Sequence, residues 1–175
     1  MKLLNISLAG ALLATTSLAS AQSTAKPASD SHAQHATTPS SDVPAVAQPA
    51  VDTVTAFGTA LAAGDFAKVE RLLDPAVIIL ESGGAERSRA EYLGHHARSD
   101  AKFLAAAHVS LVRRVARVDG AVAWVASESE IHASRDGVPM TLLSTETMVL
   151  AKSAEGWRIV HVHWSSRPKT SGGAQ

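Results

Sequence analysis

From Val51 onward the apolar positions recur first at helical spacing and then at every second residue, and this change of period divides the chain. Val54, Phe57 and Leu61 share one helical face, with Asp52 or Thr53 available as a cap and Gly64 ending the run. Asp65 opens a second short helix whose Phe66, Val69, Leu72 and Leu73 turn inward until Asp74-Pro75 stops it. Ala76 to Leu80 (AVIIL) reads as a buried strand running into Glu81, broken by Ser82-Gly83-Gly84. Ser88-Arg89-Ala90-Glu91 has the capping-box form, in which the first and last side chains satisfy free backbone N–H groups. A third helix is therefore predicted from Ser88 to about Ala107, turning Tyr92, His95 or His96, Ser99 and Phe103 to one side.

After that helix the period becomes two. HVSLVRRVARV, AVAWVASESEIHAS, VPMTLLSTETMVLAK and GWRIVHVHWSSR are separated by Asp119-Gly120, Asp136-Gly137 and Ser153 to Gly156. Asp-Gly between alternating runs favours tight hairpins, so these strands are expected as an antiparallel meander. The turns also set a register. A two-residue turn at Asp136-Gly137 pairs Arg135 with Val138, and counting back places Ser129 opposite Ser144 and Ser127 opposite Glu146. A four-residue loop at Ser153 to Gly156 pairs Lys152 with Trp157, and uninterrupted counting sets Met148 opposite His161 and Glu146 opposite His163.

In that register one sheet face carries Val125, Ile131, Leu142, Leu150, Trp157 and Ile159. Ser127, Ser129, Glu146, His161 and His163 form a polar cluster toward one end of it. This is the pattern of a core opening into a pocket. The other face carries Trp124, Val149, Val160, Val162 and Trp164. Helices can cover only one face, so a second copy is expected on the other, with Trp124, Val160, Val162 and Trp164 in a homodimer interface. A one-residue bulge would exchange the two faces beyond it.

The first fifty residues carry no such pattern. Met1-Lys2, the apolar run Leu3 to Leu18 and Ala19-Ser20-Ala21 together form a secretory signal peptide over 1–21, cleaved after Ala21. The mature protein is then expected to be periplasmic or secreted, with no membrane association. Residues 22–50, rich in Ala, Ser, Thr, Pro and Gln, read as a disordered linker holding His32 and His35. The folded domain is expected over 51–167 and a disordered tail over 168–175.

Composition narrows the partners. Sixteen basic residues balance sixteen acidic ones with no basic stripe, which argues against nucleic acid. Arg113, Arg114 and Arg117 read as a solvated or paired face beside Asp119 and the glutamates of the next strand. The absence of cysteine excludes disulfides, thiolate metal sites and a cysteine nucleophile.

The order helix, helix, strand, helix, meander resembles the nuclear transport factor 2-like superfamily. That group includes ketosteroid isomerase, the SnoaL-like polyketide cyclases and the association domain of calcium/calmodulin-dependent kinase II. GWRIVHVHWSSR resembles the last strand of the association-domain-like branch, where a Gly-Trp turn leads to a His-x-His pair and serine. The resemblance covers about Val51 to Arg167. It implies an α+β cone, a curved antiparallel sheet wrapped around three N-terminal helices, with a pocket at the open end and usually dimeric. On that pattern Glu81, Tyr92, His95, Glu146 and His163 converge near the mouth or floor. The ketosteroid isomerase motifs do not carry over, because Tyr92 is the only tyrosine and counting puts no aspartate on the pocket face.

Three functions fit these residues. The first is binding of a small molecule, without cofactor, in a pocket of Glu81, Tyr92, His95, Ser127, Ser129, Glu146, His161 and His163. The second is a cofactor-independent isomerase, dehydratase or cyclase in which Glu146 orients His163 as general base. The third is copper or zinc binding through His95, His96, His161 and His163 with Glu81 and Glu146, although their spacing matches no recognised metal signature and assigns no ligand.

Overall fold

The computed structural model describes residues 39–170. The expected signal peptide, most of the expected linker with His32 and His35, and residues 171–175 lie outside the described residues.

Regular structure begins earlier than the hydrophobic pattern predicts. Strand β1 (Ser40–Asp42) lies parallel to Arg113, Arg114 and Val115, a 3-10 turn follows over Ala45–Ala47, and α1 spans Gln48–Ala62. Residues 40–50, expected within the linker, are thus part of the fold. Two contacts distant in sequence hold them: Arg117 donates to the Asp42 carbonyl and carboxylate at 3.2 and 2.6 Å, and Ala47 and Ala50 are fully buried. Alanine supplies no periodic signal of large side chains, yet it allows close packing.

Helix α1 buries Val51, Val54, Phe57 and Leu61. Helix α2 (Phe66–Leu72) is capped by Asp65, whose carboxylate accepts from the Lys68 N–H at 3.0 Å. Strand β2 (Leu73–Glu81) then folds back on the short β3 (Gly84–Glu86) through Ser82 and Gly83, both at positive φ. Ser88 accepts from the Glu91 N–H at 3.1 Å and starts α3 (Arg89–Gly94). The single helix expected as far as Ala107 is interrupted at His95-His96, and α4 resumes over Ala97–Ala105. Gly94 weakens the helix there, and the His96 ring is held by the Glu86 carboxylate at the end of β3.

Strands β4 (His108–Asp119), β5 (Val122–Arg135), β6 (Val138–Ser153) and β7 (Gly156–Pro168) form the predicted antiparallel meander. With β1 parallel to β4 and β2 parallel to β7, the sheet runs in the order β1-β4-β5-β6-β7-β2-β3. The result is the expected α+β architecture, a curved sheet packed on the helices.

The register follows the turns at first. Arg135 pairs with Val138, Ser129 with Ser144, Ser127 with Glu146, and Lys152 with Trp157. Beyond Ile159 it departs. Leu150 pairs with Ile159 but Val149 pairs with His161, so Val160 is an extra residue in a β-bulge. Met148 therefore lies opposite Val162, and Glu146 opposite Trp164 rather than His163. Every side chain after the bulge changes face. Val162 and Trp164, expected in a dimer interface, turn inward: Val162 is fully buried and Trp164 stacks on Phe57 with ring centroids 6.2 Å apart. His161 and His163, expected in the pocket, turn outward. The energetics favour this choice, since burying a valine and an indole stabilises by roughly 1.5–3 kcal/mol each, whereas buried imidazoles need partners. Strand β2 shifts register between Leu73 and Ile78 to match, and the Ile78 carbonyl oxygen contacts His161 Nδ1 at 2.9 Å.

On the outer face Trp124, Val122 and Ile78 are left largely exposed. Among the described residues no helix is long and apolar enough to cross a membrane.

Candidate functional site

A cavity of about 580 Å³ lies between α1, α4 and the inner face of the meander. Phe57 and Leu61 of α1, Phe103 and Leu104 of α4, and Ile131 and Leu142 of the sheet make its walls mainly apolar. A few polar groups interrupt them.

Glu146, on β6, has Ser127 of β5 as one cross-strand neighbour and Trp164 of β7 as the other. The indole N–H of Trp164 donates to Glu146 Oε2 at 2.8 Å. Behind Ser127 lies Arg114 of β4, whose Nε–H donates to the serine Oγ at 3.1 Å and whose Nη1 donates to Thr55 Oγ1 of α1 at 3.1 Å. Burial pushes the Glu146 carboxyl above its usual range, and the Trp164 N–H, the Arg114 charge and the Ser127 hydroxyl pull it part of the way back.

A second group joins the end of β2 to α4. Glu81 and Asp100 both line the cavity. The Tyr92 hydroxyl, fully buried beneath them, donates to Asp100 Oδ2 at 3.0 Å. Burial raises the pKa of Asp100, with the Tyr92 hydrogen bond and the nearby His96 opposing. Glu81 is raised by burial and by the Asp100 charge. Burial and the Asp100 carboxylate also raise the Tyr92 phenol, which therefore stays protonated and acts as a donor. Carboxyl groups shifted toward the neutral form are suited to exchanging protons with a bound molecule.

Of the residues singled out in the sequence, Glu81, Ser127, Ser129 and Glu146 line the cavity. Tyr92 stands behind its wall and reaches it through Asp100. His95 is exposed at the end of α3 and does not line it. His161 and His163 lie beyond the bulge on the other face, so the expected Glu146–His163 pair is replaced by Glu146–Trp164. A general base at His163 falls with it. His95, His96, His161, His163, Glu81 and Glu146 do not converge either: among the described residues no group of three or more His, Cys, Asp or Glu is placed to hold a metal ion.

Asp100, Arg114 and Trp164 are cavity residues that the sequence reading missed. Asp100 corrects the expectation that no aspartate faces the pocket: it lies on the side of α4 that carries Phe103 and lines the cavity. Arg114 was within reach of counting, because any even shift of the β4–β5 hairpin keeps it on the face of Ser127. Unbroken alternation along β7 places Trp164 on the face opposite Trp157 and Ile159, away from the cavity.

The sequence family described as SnoaL-like domain matches residues 51–168. Among solved structures, a candidate ketosteroid isomerase from Shewanella frigidimarina is 35% identical with a TM-score of 0.64, the match covering 67% of this chain and 94% of that one. A candidate calcium/calmodulin-dependent protein kinase II association domain from Xanthomonas campestris is 22% identical with a TM-score of 0.62, covering 76% and 97%. A nuclear transport factor 2-like superfamily protein from Salmonella enterica is 23% identical with a TM-score of 0.61, covering 74% and 96%. The last two show likeness of fold alone. Among curated proteins there is no match. The chain belongs to the SnoaL-like domain family.

Proposed function

We propose that the domain takes up a small, largely apolar molecule in its cavity and orients it through Glu146. One observation carries this reading: a carboxyl group desolvated on the wall of a mainly apolar cavity of about 580 Å³. That volume falls in the ordinary range of small-molecule sites, roughly 300–1,000 Å³. Keeping a carboxylate in such a place is costly unless it meets a partner. Native mass spectrometry of gently purified protein, together with displacement of an environment-sensitive apolar dye, tests the reading. A co-purifying molecule and saturable dye uptake weakened by Glu146→Leu are expected. If the protein carries nothing and takes up no dye, the reading fails.

Glu81 and Asp100 favour a second reading, isomerase-type proton transfer. They share the cavity, and among the described residues neither forms an ion pair with lysine or arginine. One carboxylate would remove a proton from carbon next to a carbonyl, and the other, protonated, would donate to the oxygen as charge develops there. The Shewanella relative, a candidate ketosteroid isomerase, supports this class of chemistry. Conversion of a β,γ-unsaturated ketone to its conjugated isomer is followed by absorbance; turnover unchanged in both Glu81→Gln and Asp100→Asn eliminates the mechanism.

Export and self-association belong to the same proposal. Residues 1–21 act as a signal peptide for the periplasm or beyond, which N-terminal sequencing of exported protein starting at Gln22 checks. The outer face around Trp124 and Val160 pairs with a second copy, without Val162 and Trp164. Sedimentation of Trp124→Glu as a lighter species than the parent is expected; a monomeric parent removes the pairing.

A further inference from the structure

Arg114 differs from the ion-paired basic residues of the described chain in what surrounds it. Arg89, Arg117, Arg158 and Lys169 each meet a carboxylate. Arg114 is half-buried on the cavity wall and takes part in no ion pair among the described residues; its hydrogen-bonding neighbours are the hydroxyls of Ser127 and Thr55. Two contacts from different elements fix the guanidinium plane but do not neutralise it. They engage the Nε–H and one Nη1–H, leaving the other N–H donors for a partner.

A partly desolvated positive charge without a counter-ion is costly, and arginine cannot escape by losing its proton. None of the cavity's acidic groups forms an ion pair with it. Glu146 feels the Arg114 charge across the Ser127 hydroxyl but its Oε2 accepts from the Trp164 N–H, and Glu81 and Asp100 belong to the Tyr92 group. A planar, pre-positioned fork on an apolar wall matches a carboxylate, which accepts two parallel N–H bonds. A phosphate or sulfate dianion fits less well, because one guanidinium would face it alongside three acidic side chains.

Resting on the reading of the cavity as a small-molecule site, we propose that its ligand is an apolar monocarboxylate whose carboxylate seats on the free N–H edge of Arg114. The ligand's hydrocarbon portion lies against Phe57, Phe103 and Leu104. Ser127 and Thr55 are positioning residues: they hold the guanidinium and leave its outer donors to the ligand.

The test is a matched pair of probes, phenylbutyrate and its uncharged isostere phenylbutyramide, titrated calorimetrically into the full chain. The parent is expected to bind the anion at least about tenfold more tightly than the amide, as a charge-assisted pair gives. Arg114→Gln removes that preference, and an unchanged far-ultraviolet circular dichroism spectrum is the control that the variant is folded. Arg114→Lys, keeping charge without the fork, retains part of the preference. Equal affinity of the parent for both probes, or a preference that survives in Arg114→Gln, overturns the carboxylate assignment and leaves the small-molecule reading standing. Binding of neither probe overturns both.

Discussion

Replacing Trp164 by phenylalanine keeps an aromatic ring against Phe57 but deletes the N–H that serves the Glu146 carboxylate at 2.8 Å. A hydrogen bond to a charged, poorly solvated acceptor is worth about 1.5–3 kcal/mol, and the loss falls on the ionised form of Glu146. Burial already raises this carboxyl from its reference of 4.5. The folded state therefore holds the proton to higher pH than the unfolded chain, and this group's contribution is fully present below 4.5 and declines as pH rises through the folded-state value. Without the indole donor the folded-state value rises further and the decline deepens. Urea unfolding followed by circular dichroism across a pH series reads this directly. Trp164→Phe is expected to cost about 1 kcal/mol or less where Glu146 is protonated, the usual range for a modest aromatic exchange. Where Glu146 ionises the cost is expected to reach about 2–4 kcal/mol, the hydrogen bond added to that packing loss. In a Glu146→Gln background the pH dependence of the loss should vanish, since the coupled partner no longer ionises. A loss independent of pH in the parent background refutes the assignment of the indole as the carboxylate's donor.

Two further predictions use residues the bulge and the helix break set apart. His163→Ala is expected to change stability by less than about 0.5 kcal/mol and to leave dye uptake untouched, measured by thermal unfolding and the displacement assay; loss of uptake would return His163 to the cavity. His96→Ala leaves the Glu86 carboxylate, only 4% exposed, without its imidazole partner, and should destabilise by about 1–3 kcal/mol in the same unfolding assay.

Much of this fold was legible because its elements advertise themselves locally. The Asp136-Gly137 turn determines the pairing of Ser127 with Glu146 through residues a few positions away, and the capping box at Ser88 marks a helix start within four residues. What escaped depends on distant partners. Strand β1 exists because Arg117 reaches Asp42, and the helix breaks where Glu86 meets His96. The bulge at Val160 escaped for a different reason. Before Val160 the apolar residues Trp157 and Ile159 share the parity of His161 and His163, and from Val160 on the apolar stripe passes to the other parity, so unbroken alternation puts the imidazoles inward. The competition between burying two imidazoles and burying a valine with an indole is decided in three dimensions. Of the cavity's polar groups, Glu146 and Ser127 were accessible to counting because they precede that bulge, and Trp164 was not because it follows it.

The extra residue at Val160 also makes the chemistry of the chamber hinge on how the strand pairs rather than on which side chains the strand contains. The same β7, with every residue kept but paired without the bulge, would line the chamber with imidazoles and send the indole to the outside. A carboxylate now matched to an N–H donor that cannot ionise would instead face a titratable base. Substitutions that remove the bulge in the final strand are thus a route by which one scaffold could pass between a passive receptor and an acid–base catalyst.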